Sequence, residues 1–237
     1  MTDRFFRKAA PRFTLFLALL VPGLALTATS ADRTFVMATS IQPIEWNPLK
    51  TYSAIEAQMY TAVYEGLMTY NPANLKPTEG VSDNWTLSND KRIYRFHLRS
   101  DARFSDGSSV TATVFRNSWL RLLLPSTNSP FAGLLDPIKG AAEYRTGKNR
   151  NPESVSIRAI NDQTLDVELN QPTAYFIQLV CHQSLVPIHP ALLDKPDWKD
   201  TAAIIGNGPY KFDRSGENRL DLVPNPQYWD RATLRMD

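Results

Sequence analysis

The most chemically suggestive stretch of this sequence is FHLRSDARFSDGSSVTA, residues 96–112, which places one histidine, two aspartates and four serines around a single glycine. These are the residue types of acid–base and nucleophilic catalysis. Local patterns predict a different use for them. His97 shares one face of an alternating strand with Arg95 and Arg99. An aspartate beside a glycine, as in Asp106–Gly107, typically accepts hydrogen bonds from the N–H groups of a turn. The stretch therefore predicts a strand, a turn and a helix start, not a catalytic cluster.

The sequence lacks the common motifs for metal binding, for serine-nucleophile catalysis and for nucleotide binding. Its three histidines, His97, His182 and His189, fit no metal-binding spacing, and the chain contains no GxSxG, P-loop or GxGxxG motif. The single cysteine, Cys181, lies in the apolar context FIQLVCH, which predicts a buried thiol and not a nucleophile. We therefore expect no enzyme activity, no cofactor and no metal. An exported hydrolase that depends on His97 is the enzymatic alternative.

The charge balance argues against nucleic acid as a partner. The chain of 237 residues carries 26 Lys and Arg against 24 Asp and Glu. Without the four basic residues and the one acidic residue of positions 1–31, 22 basic and 23 acidic residues remain. No basic surplus is left to neutralise phosphates, so we expect no nucleic-acid binding.

The first 31 residues resemble a secretory signal. A cationic start precedes the apolar run Phe13–Leu26, and small residues lead up to a cleavage point before Asp32. A membrane anchor is the alternative, but the run is short and Pro22–Gly23 interrupts it. There is no twin-arginine pair and no cysteine near the cleavage point. We therefore predict export to the periplasm by the general secretory route, without a lipid anchor.

Periodicity predicts a mixed α/β (α+β) fold. Strands are expected at Arg33–Ser40, Arg92–Arg99, Thr164–Asn170 and Leu220–Val223. A helix is expected over Ala54–Met68, with an apolar stripe formed by Ile55, Met59, Ala62 and Val63.

Three further helices are predicted between these strands. The first follows a cap at Thr111 and carries an apolar stripe. Another lies around Ile138–Tyr144, and a third starts at Gln171–Pro172 and runs through Val180. The stripe of the first of these helices consists of Phe115, Trp119, Leu122 and Leu123.

An ordered series of short phrases resembles the extracellular solute-binding proteins of the peptide-binding type, the oligopeptide and dipeptide receptors of ABC importers. The phrases follow the family's order and cover essentially all of the chain after residue 31. They are VYEGLMTYN (63–71), DNWTLSNDKRIYRFHLRSDARFSDGSSVTA (83–112), SPFAGLLDPIKGAAEYRTGK (129–148), SIRAINDQTLDVELNQPTAYF (156–176), GNGPYKF (206–212) and NPQYWD (225–230).

The resemblance implies a periplasmic binding protein type II-like architecture. We expect residues 1–31 to be the signal peptide, 32–66 and 171–237 to be two segments of the first lobe, and 67–170 to be a smaller inserted domain. Members of the family continue well beyond the YWD phrase, so we expect this chain to be an amino-terminal half in which the first lobe is truncated and the second lobe is missing.

The implied function is capture of short peptides and their delivery to the permease subunits of an ABC importer in the inner membrane. The resemblance implies a monomer without cofactor. The alternatives are another ligand, such as a nickel complex, haem or a sugar, and a relic fragment with little binding. The family layout places ligand contacts at Thr39, Ser40, Ile41, Gln42, Asn207, Gly208 and Tyr210.

Overall fold

The computed structural model describes residues 34–38, 44–195, 198, 203–216 and 219–234. The predicted signal segment lies outside these ranges. Within them, no helix is both long enough and apolar enough to cross a membrane.

Helices and antiparallel strands alternate along the described chain. The helices are α1 (Ala54–Val63), α2 (Ala112–Leu123), α3 (Ala141–Arg145), α4 (Phe176–Leu179) and α5 (Pro190–Leu193). The strands are β1 (Met68–Tyr70), β2 (Pro77–Glu79), β3 (Ser82–Leu87), β4 (Ile93–Leu98), β5 (Ile157–Asn161), β6 (Thr164–Glu168), β7 (Tyr210–Gly216) and β8 (Arg219–Pro224). Short 3₁₀ turns lie at Pro125–Thr127, Ala132–Leu135, Pro152–Ser154 and Arg231–Thr233. The predicted mixed α/β class is confirmed.

The largest sheet has four antiparallel strands in the order β3–β4–β6–β5, while β1–β2 and β7–β8 form separate pairs. Tyr94, Phe96 and Leu98 of β4 are buried and Arg95 is exposed, as the alternation predicts. Phe96 pairs with Leu165 of β6, which is also fully buried. One face of this sheet therefore belongs to the core, and the other faces water.

Helix α2 packs against β5 and β6 of this sheet. The hydroxyl of Thr111 caps it by accepting a hydrogen bond from the Val114 N–H at 3.4 Å, as predicted. The indole Nε1 of Trp119 donates to the carbonyl of Leu185 at 2.9 Å, which ties the helix to the segment before α5. The predicted apolar stripe is confirmed, with no exposure at Phe115, Trp119, Leu122 or Leu123.

Helix α1 is shorter than the predicted range 54–68. It ends at Val63 because Tyr64 adopts an extended backbone, with φ −127° and ψ 152°. The Val63 carbonyl, which would continue the helix, instead accepts a hydrogen bond from the N–H of Gly208 at 2.8 Å. A partner more than 140 positions away along the chain thus sets the end of this helix, and no local pattern could place it.

The buried face of α1 also differs from the predicted stripe. Ile55 and Met59 are only partly buried, whereas Glu56 and Tyr60 are buried at 2% exposure each. Tyr60 donates its hydroxyl to the carbonyl of Glu45. Glu56 and Tyr60 are buried because they bond to polar groups of the preceding loop. A pattern of apolar residues along the helix therefore does not identify them.

Three other predicted elements need correction. Residues 34–38 form no strand, because no described strand pairs with them, and Phe35 and Val36 are 70% and 83% exposed. The helix predicted from Ile138 starts only at Ala141, since Ile138 forms an isolated β-bridge with Leu169, just after β6, and Gly140 has a positive φ of 81°.

The helix predicted from Gln171 starts only at Phe176. The Thr173 carbonyl accepts hydrogen bonds from the Phe176 N–H and from the Tyr94 hydroxyl at 3.1 Å. These bonds form a turn docked on the sheet instead of a first helical turn, so only the single turn α4 remains.

Replacing Trp119 by Phe tests how strongly α2 is tied to the core. The change removes buried apolar volume and leaves the Leu185 carbonyl without its donor, so we expect the free energy of unfolding to fall by about 1–3 kcal/mol in urea titrations. Trp85→Phe is the matched control, because Trp85 is only partly buried. An equal loss in both variants would contradict this assignment.

Candidate functional site

The predicted ligand contacts fall into two groups. Thr39, Ser40, Ile41 and Gln42 lie outside the described residues. Asn207, Gly208 and Tyr210 lie together between residue 203 and the start of β7. Tyr210 is partly exposed and pairs with Pro224 of β8, whereas Asn207 is buried at 3% exposure. Their role as ligand contacts stays a prediction.

Asn207 holds the chain segment that follows α1. Its side-chain oxygen accepts a hydrogen bond from the Glu65 N–H at 3.1 Å, and its side-chain nitrogen donates to the Glu65 carbonyl at 2.9 Å. The side-chain amide of Asn207 thus pairs with Glu65 as a neighbouring β-strand would. It satisfies both backbone groups of Glu65 inside the protein.

Two glycines bring the backbones of these segments into direct contact. A Cβ at Gly208 would lie 2.5 Å from the carbonyl carbon of Val63 and 2.6 Å from the Tyr64 nitrogen. A Cβ at Gly206 would overlap the Val63 carbonyl oxygen. Only glycine leaves room for this approach, so both glycines of GNGPY are required by packing.

A third segment closes the cluster. The side chain of Asn225 donates to the Gly208 carbonyl at 2.9 Å, and its N–H donates to the Pro209 carbonyl at 2.8 Å. We call the convergence of residues 63–66, 206–208 and 225–229 the junction. Three of the phrases noted in the sequence, VYEG, GNGPY and NPQYW, therefore meet in space.

Glu65 carries the ionisable group at the centre of the junction. Its side chain accepts a hydrogen bond from the Tyr228 hydroxyl at 2.7 Å and from the Trp229 indole at 2.6 Å. The guanidinium of Arg99 lies over the Trp229 ring, 3.6 Å from its centroid. Glu65 is only 9% exposed. Burial raises its pKa to about 7, although the two hydrogen bonds and the charge of Arg99 act in the opposite direction.

The turn in the stretch at residues 96–112 also contacts the junction. The N–H of Ser105 donates to the Gly206 carbonyl at 2.8 Å. Asp106 accepts hydrogen bonds from the N–H and hydroxyl of Ser108, and it lies 3.2 Å from His189 Nε2. Burial alone would raise the pKa of Asp106, but the Ser108 bonds and His189 outweigh it and lower the pKa. The predicted turn is confirmed, with φ of 90° at Gly107.

The remaining chemical candidates are His182, Cys181 and His97. His182 Nδ1 lies 2.8 Å from the Ser184 hydroxyl and also accepts from the Ser184 N–H, and Ser184 is fully buried. Burial raises the pKa of the Cys181 thiol to about 12, which disfavours the thiolate. His97 lines an open polar depression on the outer face of the sheet. Among the described residues, no group of three or more His, Cys, Asp or Glu is placed to hold a metal ion.

The loop that follows the predicted contacts at 39–42 is ordered by Glu56. Its carboxylate accepts hydrogen bonds from the Thr51 hydroxyl at 3.0 Å and from the N–H groups of Glu45, Tyr52 and Ser53. Burial would raise the pKa of Glu56, but these bonds together outweigh it and lower the pKa. Glu56 also completes a capping box with Ser53, which anchors the loop on the start of α1.

Sequence reasoning missed Glu56, Glu65, Asn225, Tyr228 and Trp229 as organising residues. Four of them lie inside phrases that carry the family resemblance, and Glu56 belongs to the capping box with Ser53. That signal identified the phrases without showing that they touch one another.

Replacing Gly208 by Ala tests the junction. The added methyl group would meet the backbone of Val63, so we expect a loss of about 1–3 kcal/mol or more in the free energy of unfolding, measured in urea. Gly133→Ala is the matched control, because its nearest contact lies 3.8 Å away at the Asp136 side chain. Unchanged stability of the Gly208 variant would contradict the close approach.

Comparison with known proteins identifies the family of this chain. The family model for bacterial extracellular solute-binding proteins, family 5 middle region, matches residues 76–237. The periplasmic murein peptide-binding protein MppA of Escherichia coli is 32% identical over 228 residues, 91% of this chain and 42% of that protein. The periplasmic oligopeptide-binding protein OppA of Salmonella typhimurium is 33% identical over 223 residues, 88% of this chain and 40% of that protein.

A solved structure extends the match to the fold. The crystal structure of Haemophilus influenzae OppA in complex with the peptide RPPGFSPFR superimposes with a TM-score of 0.74 at 31% identity, over 79% of this chain and 37% of that one. The chain spans about two fifths of the length of these relatives. The family model covers more than half of the chain, and the chain belongs to the family 5 bacterial extracellular solute-binding proteins.

Proposed function

We propose that this chain is the amino-terminal part of the peptide-binding component of an ABC-type importer. The observation that carries the proposal is the match of 88% of the chain to an oligopeptide-binding protein at 33% identity. A receptor of this kind takes a peptide mainly through backbone hydrogen bonds, which accept many side chains. Such binding needs no catalytic residue.

The proposal assigns the ligand contacts to the segment around Thr39–Gln42 and to Tyr210. Asn207 and Gly208 fix the backbone that leads into Tyr210, because their polar groups are already bonded within the junction. Residues 32–66 and 171–237 form the first lobe in this proposal, and residues 67–170 form the inserted domain. Hinge closure of the lobe over the peptide would complete the site.

The proposal includes the cellular setting. The relatives MppA and OppA are named as periplasmic proteins. A cationic start followed by an apolar run supports secretion by the general route. The protein would act as a monomer that delivers short peptides to permease subunits in the inner membrane.

Calorimetry and thermal-shift assays with a mixed pool of short peptides test the proposal. We expect binding heat and a rise in melting temperature that grows with peptide concentration, since a ligand that binds only the folded state stabilises it by about 2.7 kcal/mol at 100 times Kd. Free amino acids should give neither signal. The absence of both heat and shift with every peptide would overturn the proposal.

A variant pair locates the binding surface. Tyr210→Ala should weaken peptide binding, because it removes an aromatic surface beside the junction without touching the core. Ile160→Ala is the control, since Ile160 is 54% exposed on β5, where the proposal assigns no contact. Equal affinity of both variants would remove Tyr210 from the site.

A further inference from the structure

Asn207 and Gly208 form the one Asn–Gly pair in the sequence. Asparagine followed by glycine is the pair most prone to spontaneous deamidation, because glycine has no Cβ to hinder attack by its own backbone nitrogen. The nitrogen of Gly208 would attack the side-chain carbonyl carbon of Asn207 and close a five-membered imide. The fold decides whether these two groups can react.

Water is the only co-reactant that this chemistry needs. As the bond between the Gly208 nitrogen and Cγ of Asn207 forms, the nitrogen gives up its proton to hydroxide and the bond from Cγ to Nδ2 breaks. Nδ2 takes a proton from water and leaves as ammonia. A water molecule then opens the imide at either of its carbonyl groups, which gives aspartate or isoaspartate at position 207. Nothing is oxidised or reduced.

The junction restrains both reacting groups. The N–H of Gly208 donates to the Val63 carbonyl at 2.8 Å, so its proton is bonded inside the protein and is not exposed to hydroxide. Glu65 holds the Asn207 side chain at both ends, with 2.9 Å from Nδ2 to the Glu65 carbonyl and 3.1 Å from the Glu65 N–H to Oδ1. Attack makes Cγ tetrahedral and expels Nδ2, so it would break this pair. Asn207 is also only 3% exposed, which keeps water from an imide.

The products could not rebuild the pair with Glu65. Aspartate at position 207 would place a carboxylate oxygen where Nδ2 now donates, and a carboxylate only accepts hydrogen bonds. The buried Glu65 carbonyl would then face a second acceptor and lose its partner. Isoaspartate would in addition lengthen the main chain by one carbon atom just before Gly208, whose own carbonyl is bonded to Asn225.

We propose that Asn207–Gly208 is a deamidation site that the folded junction keeps unreactive, and that its conversion in an unfolded chain permanently weakens the junction when the chain refolds. The modification would thus leave an irreversible chemical record of unfolding at the place where three segments of the chain meet. The proposal goes beyond the proposed function and does not rest on it, because no ligand takes part.

Mass spectrometry of proteolytic fragments of the full chain tests the protection. The protein is incubated in mildly alkaline buffer, folded or unfolded by urea, and the mass gain of one dalton at residue 207 is followed over time. We expect conversion to be about 100-fold slower, or slower still, in the folded protein, because reaction requires local opening of a buried, hydrogen-bonded segment. Asn128, which is exposed and precedes Ser129, is the internal reference, and its rate should differ much less between the two states. Equal rates at Asn207 in both states would overturn the proposal.

A variant pair tests the consequence of conversion. Asn207→Asp reproduces one product, and we expect its unfolding equilibrium constant in urea titrations to rise about 10-fold or more, because the Glu65 carbonyl loses its donor. Asn74→Asp is the matched control, since Asn74 only accepts a hydrogen bond, from the Lys76 N–H at 2.9 Å, and aspartate keeps that bond. A loss of stability in Asn207→Asp no larger than in the control would contradict the proposal.

Ageing of the unchanged chain replaces the variant if Asn207→Asp does not fold. Chains partly converted in urea are brought to the midpoint of the unfolding transition, and the folded and unfolded fractions are separated by size-exclusion chromatography. Residue 207 should be converted less in the folded fraction than in the unfolded one, whereas residue 128 should be converted equally in both. Equal conversion of residue 207 in the two fractions would overturn the proposal. None of these measurements involves a peptide ligand, so failure here would leave the proposed function untouched.

Discussion

The contact between the Val63 carbonyl and the backbone of residues 206–208 is the constraint on which the rest of the junction depends. It ends helix α1, it requires glycine at two positions, and it brings Asn207 within reach of both backbone groups of Glu65. Backbone groups buried in this way must find partners. Here they find them in one another, and the side chains of Glu65 and Asn225 then attach the third segment.

Two glutamates at opposite ends of α1 show how surroundings decide the state of one residue type. Glu56 faces several backbone donors and a hydroxyl, which outweigh its burial and favour the charged form. Glu65 meets two neutral donors and a more distant cation, and burial prevails. The pKa of the first carboxyl group is therefore lowered, and that of the second is raised. The difference comes from the number and kind of donors, and not from depth alone.

Local patterns predicted much of the fold. The alternation of Tyr94, Phe96 and Leu98, the cap at Thr111 and the stripe through Trp119 all depend on neighbours within a few positions, and all are confirmed. The errors arose where distant partners intervene. Helix α1 stops early because of Gly208, α4 starts late because Tyr94 binds the Thr173 carbonyl, and residues 34–38 lack a strand partner among the described residues.

The sequence by itself determined the family, the fold class and the strand, turn and helix cap of residues 96–112, because ordered phrases, periodicity and turn chemistry are written along the chain. Only the tertiary structure decided that VYEG, GNGPY and NPQYW form one cluster, with Glu65 buried at its centre. The physical reason is that burial and hydrogen bonding between residues 142 or more positions apart arise only after the chain has folded. No pattern along the sequence records how many hydrogen-bond donors a buried carboxyl group will meet.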